Sequence, residues 1–148
     1  MISTKGRYAL RVMADLAEQD TEQFVPLKEI AKRQGISEKY LESIVRILVK
    51  EKLLKGLSGK GGGYRLTRRP EEYTAGEILE LTEGTLAVVA CLEEGAKACA
   101  RKKTCRIFPM WEQFDGMIRE FFFSITLSDL LKGYIGKEDR VVLSCQKK

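Results

Sequence analysis

The chain has 148 residues, 44% of them hydrophobic and 32% charged, with 26 Lys/Arg against 21 Asp/Glu. That composition suits one domain, or a small domain with an appended element, and excludes a disordered chain. Histidine is absent (His 0), which removes the commonest general base, the Ser–His and Cys–His pairs and every His-containing zinc site, and with them most hydrolase chemistry.

The net charge of +5 is unevenly placed: residues 28–69 hold 12 Lys/Arg against 4 Asp/Glu, while the segments on either side are slightly acidic. A basic excess confined to one block is what a phosphate-neutralising surface needs, although a solvated basic face has the same composition. The longest apolar patch, Ile118 to Leu131, is broken by Arg119, Glu120 and Asp129, so no membrane span is expected. The opening MISTKGRYAL has no apolar signal core. Four cysteines without an export signal imply a reducing, cytoplasmic setting, where clustered thiols are ligands or sensors more often than bridges.

In chain order, Ala9, Met13, Leu16 and Ala17 recur at helical spacing and predict an amphipathic helix from about Thr4 to Gln19. Pro26 opens a short helix, Leu27 to Gln34, and Gly35-Ile36 turns the chain. Ser37 then caps a helix from Glu38 to about Lys52, which buries Leu41, Ile44, Val45 and Leu48. Its outward face carries Lys39, Tyr40, Glu42, Ser43 and Arg46. Two short helices with a glycine turn, the second basic and solvent-faced, read as a helix-turn-helix.

Lys55 to Leu57 and Tyr64 to Leu66 read as two strands around a turn, with five glycines among residues 56–63. A nucleotide P-loop would run into a helix; here a strand follows, so the hairpin reads as the wing of a winged helix. Gly59, Lys60 and Gly61 are expected against the DNA backbone or minor groove. Lys5, Arg7, Ser37 and Ser58 complete the expected contact set. Thr74 to Glu77 has the pattern of a capping box and starts a helix through about Glu83. Pro109 opens a long helix on which Trp111, Phe114, Ile118, Phe121 and Ile125 step by 3 and 4, with Met110, Met117 and Phe122 widening the stripe. Because DNA readers of this kind pair to match two half-sites, the stripe is read as a homodimer seam rather than an internal core face. Thr126 starts one more short helix, and the tail is weakly patterned.

Cys91, Cys99 and Cys105 are spaced C-x7-C-x5-C among Lys97, Arg101, Lys102, Lys103 and Arg106. Such cations favour the thiolate, the form that binds metal. Structural cysteines prefer apolar burial, which this polar loop does not offer.

These motifs together resemble a known family. ISTKGRYALRVMADLA, GISEKYLESIVRIL, SGKGGGYRL and TAGEI are similar to the Rrf-two family of bacterial regulators, over nearly the whole chain. The resemblance implies a mainly α fold with a small β-wing, a winged helix-turn-helix with a long C-terminal dimerisation helix, acting on double-stranded operator DNA as repressor or activator. In cluster-bearing members three loop cysteines hold an iron–sulfur cluster, and Cys91, Cys99 and Cys105 match them. The expected cofactor is [2Fe–2S] ahead of [4Fe–4S], and its fourth ligand stays open among Glu93, Glu94, Cys145 and an exogenous group. Phe108 stands where the IscR type has a histidine, Tyr8 where a nitric oxide sensor takes a carboxylate, and Ser58 where the IscR type has an arginine.

The expected organisation is a DNA-binding domain over 1–83, a sensor loop over 84–106, a dimerisation helix with its following short helix over 107–135, and a tail over 136–148. The expected function is a homodimeric, non-enzymatic DNA-binding regulator sensing iron–sulfur or redox status. The rival is a cluster-free regulator of sulfur metabolism of the CymR type, under control of a small molecule or a protein partner.

Overall fold

A serine at position 3 starts the first helix. In the computed structural model, which describes residues 1–133, the Ser3 hydroxyl accepts the Gly6 N–H at 3.1 Å and α1 runs Thr4–Glu18. Its inner face is Ala9, Val12, Met13, Leu16 and Ala17, all buried. Pro26 precedes α2 (Leu27–Gln34), which stops at Gly35 in the left-handed region. The Ser37 hydroxyl then accepts the Tyr40 N–H at 3.3 Å and starts α3 (Glu38–Lys50). Leu41, Ile44, Val45 and Leu48 are wholly buried, as their spacing predicts. The three helices close one apolar core.

α1 and α2 are also joined by charge. Asp15, 3% exposed, receives three hydrogen bonds from Arg33, at 2.7, 3.0 and 3.3 Å, and one from Gln34 Nε2 at 2.7 Å. That hydrogen bonding holds the Arg33 pKa above its ordinary value. A buried carboxylate needs such partners, because desolvation would otherwise cost several kcal/mol, roughly.

The hairpin is antiparallel: β1 (Leu54–Leu57) pairs with β2 (Gly63–Leu66), Leu54 opposite Leu66 and Leu57 opposite Gly63. Val25, just ahead of α2, exchanges two backbone hydrogen bonds of 2.9 Å with Tyr64. The wing is thereby stitched to the helix-turn-helix rather than left hanging from it.

Beyond the wing, Tyr73 is 0% exposed and its hydroxyl is fully used. It accepts the Thr67 and Arg68 N–H groups and donates to the Leu53 carbonyl, each at 2.8 Å. α4 (Ala75–Glu83) follows, with the Thr74 hydroxyl accepting the Glu77 N–H at 3.1 Å. The predicted capping box is only half made: the Glu77 carboxylate turns to Arg68, 2.7 Å away, because that cation offers more than a backbone N–H.

α5 (Phe108–Phe123) packs on α4, with the Phe123 ring against Gly76, and α6 (Leu127–Leu131) then returns to the first core. Ile125 accepts the Ala75 N–H at 2.8 Å, Leu127 donates to the Tyr73 carbonyl at 3.1 Å, and the Leu127 side chain is 0% exposed. The expected unit over 107–135 is therefore corrected: α6 belongs with the winged helix, and α5 alone stands out from it. Residues 134 and 135, the tail over 136–148 and its Cys145 lie outside the described residues.

Tyr73→Phe removes one hydroxyl, strands the Arg68 N–H and leaves the Thr67 N–H only its longer 3.4 Å contact with the Leu53 carbonyl. A loss of about 1–3 kcal/mol is expected in urea unfolding, with hydrogen exchange at Thr67 and Arg68 accelerated first. Unchanged exchange there would show that the hydroxyl does not hold the wing base.

Candidate nucleic-acid interface and cysteine loop

α3 presents the face its spacing predicts: Ser37, Lys39, Glu42, Ser43 and Arg46 are exposed and Tyr40 is half-buried. The Tyr40 ring meets Tyr8 of α1 edge-on, with centroids 5.7 Å apart, so the first turns of α1 lie beside the first turn of α3. Arg7 is exposed there and Lys5 half-buried. Between α3 and the wing runs an open groove of ≈ 730 Å³, bordered by Glu42, Arg46, Ser58, Gly59 and Tyr64. Recognition helix and wing thus face one side of the molecule. Tyr64 borders the groove but was not singled out in the sequence; it shares a strand face with the buried Leu66 and packs against the core.

The wing tip turns through Gly59 and Gly61 at φ 88 and 75, conformations that a side chain would strain. Ser58, Gly59, Lys60 and Gly61 are all exposed. The basic block itself divides by residue type. Arg33, Arg46, Arg65, Arg68 and Arg69 are each paired with a carboxylate of this chain. Among the described residues Lys39, Lys50, Lys55 and Lys60 have no such pair, so the lysines carry the free charge. Arg46 and Glu42 are 2.7 Å apart one helical turn from each other and both exposed. An exposed pair of this type is worth a few tenths of a kcal/mol, roughly, and a DNA base edge can open it.

The three cysteines occupy a segment with little regular structure: after Val88 only a 3₁₀ turn, Ala90–Leu92, interrupts it before α5. Cys91 and Cys99 are exposed and Cys105 is half-buried, all as free thiols. Their donor chemistry fits a soft metal centre or an iron–sulfur cluster. Among the described residues, though, no three His, Cys, Asp or Glu side chains are gathered closely enough to hold a metal ion. Holding a cluster would require the loop to close on it. The loop is anchored at both ends: the Val88 N–H donates to Asp115 of α5 at 3.0 Å, and the Phe108 ring is buried under Lys102, 4.9 Å away.

α5 turns part of the predicted stripe outward, Met110, Phe114, Met117 and Phe121, and part of it inward. Phe114 and Phe121 are exposed, but Trp111, Ile118 and Phe122 are half-buried at the edge of the contact with α4. Ile125 is 4% exposed and beyond the end of the helix, so it is corrected to a core residue. The outward stripe is Ile107, Met110, Phe114, Met117 and Phe121. The rotation has a cause: Arg119 reaches Glu80 of α4 at 3.1 Å and Asp115 holds Val88, which turns those two residues inward.

Helix-turn-helix, wing and a shared exposed face define a winged-helix DNA-binding protein; among the described residues no helix is long and apolar enough to cross a membrane. Residues 2–133 match the family described as Rrf2, Iron-dependent Transcriptional regulator. The regulator CymR of Bacillus subtilis is 36% identical over 138 residues, 93% of this chain and 94% of its own. Its solved structure, described as that of the global cysteine regulator, superposes with a TM-score of 0.73 over 90% of this chain and 97% of that one. IscR of Aliivibrio salmonicida is 34% identical over 130 residues, 88% of this chain and 76% of its own. The structure of T. potens IscR superposes with a TM-score of 0.71 at 38% identity, covering 90% and 87%. The chain belongs to the Rrf2 family of transcriptional regulators, a family of DNA-binding proteins and not of enzymes.

Two substitutions separate the roles on the DNA face. Glu42→Ala frees Arg46 and removes a carboxylate that phosphates repel, so sequence preference is expected to change more than general affinity. Equal loss on selected and mixed-sequence duplexes would remove that role from Glu42. Lys60→Ala is expected to weaken binding to all duplexes and to flatten the salt dependence by about one unit of log–log slope. An unaltered slope would take the wing tip off the DNA.

Proposed function

We propose that the protein is a homodimeric regulator that reads an operator with α3 and the wing and senses iron–sulfur or redox status through Cys91, Cys99 and Cys105. One observation carries the reading: three free thiols on a cation-rich loop are anchored at Val88 and Phe108 to α5, the helix whose outer stripe is apolar. A change in the loop therefore bears on α5 before any other element. Ile107, Met110, Phe114, Met117 and Phe121 give a second copy an apolar seam at heptad spacing, and two copies present two α3 helices to two half-sites. Cys91, Cys99 and Cys105 would hold the cluster, which when bound supplies a redox-sensitive centre; Lys102 and its cationic neighbours offset the thiolate charge.

A second reading has its own support. The thiols are not gathered, and similarity to a global cysteine regulator is as high as to IscR proteins, which favours a cluster-free regulator using the same cysteines as redox thiols. Iron and sulfide content after anaerobic reconstitution, measured with DNA binding, separates the two. The cluster reading expects iron and sulfide in the wild type, and Cys99→Ala to lose both and change operator affinity while the dimer stays folded. A wild type that takes up no iron leaves the cluster-free regulator standing.

A further inference from the structure

Glu83 is the last residue of α4, directly ahead of the cysteine-bearing segment, yet its carboxylate is spent on the other end of the molecule. Oε1 accepts the Ser3 N–H at 3.0 Å and the Ser3 hydroxyl at 2.6 Å. The same hydroxyl oxygen accepts the Gly6 N–H at 3.1 Å, so Glu83 and Ser3 together cap α1. The position defies local preference. A carboxylate at the C-terminal end of a helix opposes the helix dipole, and the last turn of α4 has no basic residue to offset it. At the N-terminus of α1 the same charge is favourable. Gly6 completes the arrangement: a Cβ there would collide with Glu83 Oε1 and crowd the Leu79 side chain, so a larger residue would push the carboxylate off Ser3.

What this clasp holds is the first turn of α1. That turn carries Lys5 and Arg7, and the Tyr8–Tyr40 ring contact sets it against the first turn of α3. We infer that Glu83 is a positioning residue for DNA binding: by clasping Ser3 it fixes the N-terminus of α1, with Lys5 and Arg7, beside the recognition helix. The inference rests on the DNA-binding reading above and adds a residue outside the interface on which the interface depends. It also places the α1 contacts one residue from Gly84, where the sensor segment begins.

The test uses the full chain and duplexes selected by the wild type from a random-sequence pool, with affinity followed over a range of salt. Glu83→Ala is expected to weaken binding about tenfold and to make the log–log salt slope shallower by about one to two, the number of phosphates that Lys5 and Arg7 would reach. Glu83→Gln retains the acceptor oxygen and is expected to bind close to wild type. Added to Lys5→Ala/Arg7→Ala, Glu83→Ala is expected to cost nothing more, because the groups it positions are already gone. Gly6→Ala is expected to weaken binding in the wild type but not beside Glu83→Ala, where the colliding oxygen is absent. That double variant also restores helix propensity to α1 and supplies a folded protein should Glu83→Ala alone unfold. The inference is overturned by Glu83→Ala at wild-type affinity and slope, by costs that add in full to Lys5→Ala/Arg7→Ala, or by Glu83→Gln no better than Glu83→Ala. A wild type with no salt-dependent binding to any duplex sinks the DNA-binding reading itself, and the inference with it.

Discussion

The hydroxyl of Tyr73 is the constraint around which the DNA-reading half is assembled. A two-stranded hairpin is at best marginal on its own, so the wing needs an external hold. Tyr73 supplies it by bonding the strand entry at Leu53 and the exit at Thr67 and Arg68 at once. Arg68 also lies over the Tyr73 ring, 4.3 Å from its centroid, and ties off Glu77 of α4. With the Val25–Tyr64 bridge at the other end of the strand, the wing is fixed relative to α2 and α4 together. Only then do Ser58 and Lys60 stand at a defined distance from the face of α3.

A second constraint sets the geometry of the cysteine-bearing half. α5 is bolted to α4 by Arg119 and Glu80, to the cysteine segment by Asp115 and Val88, and by the Phe123 ring over Gly76. Asp115 and Arg119 are turned inward by this work, and the apolar stripe faces outward beside Glu112, Gln113 and Glu120. The two ends of the cysteine segment therefore meet the same helix.

How much of this was legible in the sequence follows from the range of the interactions involved. α2 was placed to the residue because Pro26 and Gly35 mark its ends by backbone chemistry that needs no partner. The inner residues of α3 were right for the same reason: four apolar side chains at helical spacing have one face to bury. The orientation of α5 was legible only in part: Met110, Phe114, Met117 and Phe121 do face outward, but the inward turn of Trp111 and Ile118 goes with Arg119 finding Glu80 some forty residues earlier. Ile125 continued an apolar rhythm past the place where Ser124 ends the helix, so periodicity alone put it on the wrong surface. The half-made box at Thr74 failed through the same long-range competition, with Arg68 outbidding a local N–H for Glu77. A charge count over residues 28–69 could not show which cations were already neutralised.

That division of the cations has a kinetic side. Arg33 and Arg68, planar and directional, are tied into the scaffold, whereas the unpaired lysines end in compact, strongly hydrated ammonium groups on flexible stems. Such groups hold a phosphate without fixing an angle to it, and can pass from one phosphate to the next with little rearrangement. A face charged in this way favours one-dimensional diffusion along a duplex. Swapping these lysines for arginines would leave the net charge alone and slow the search.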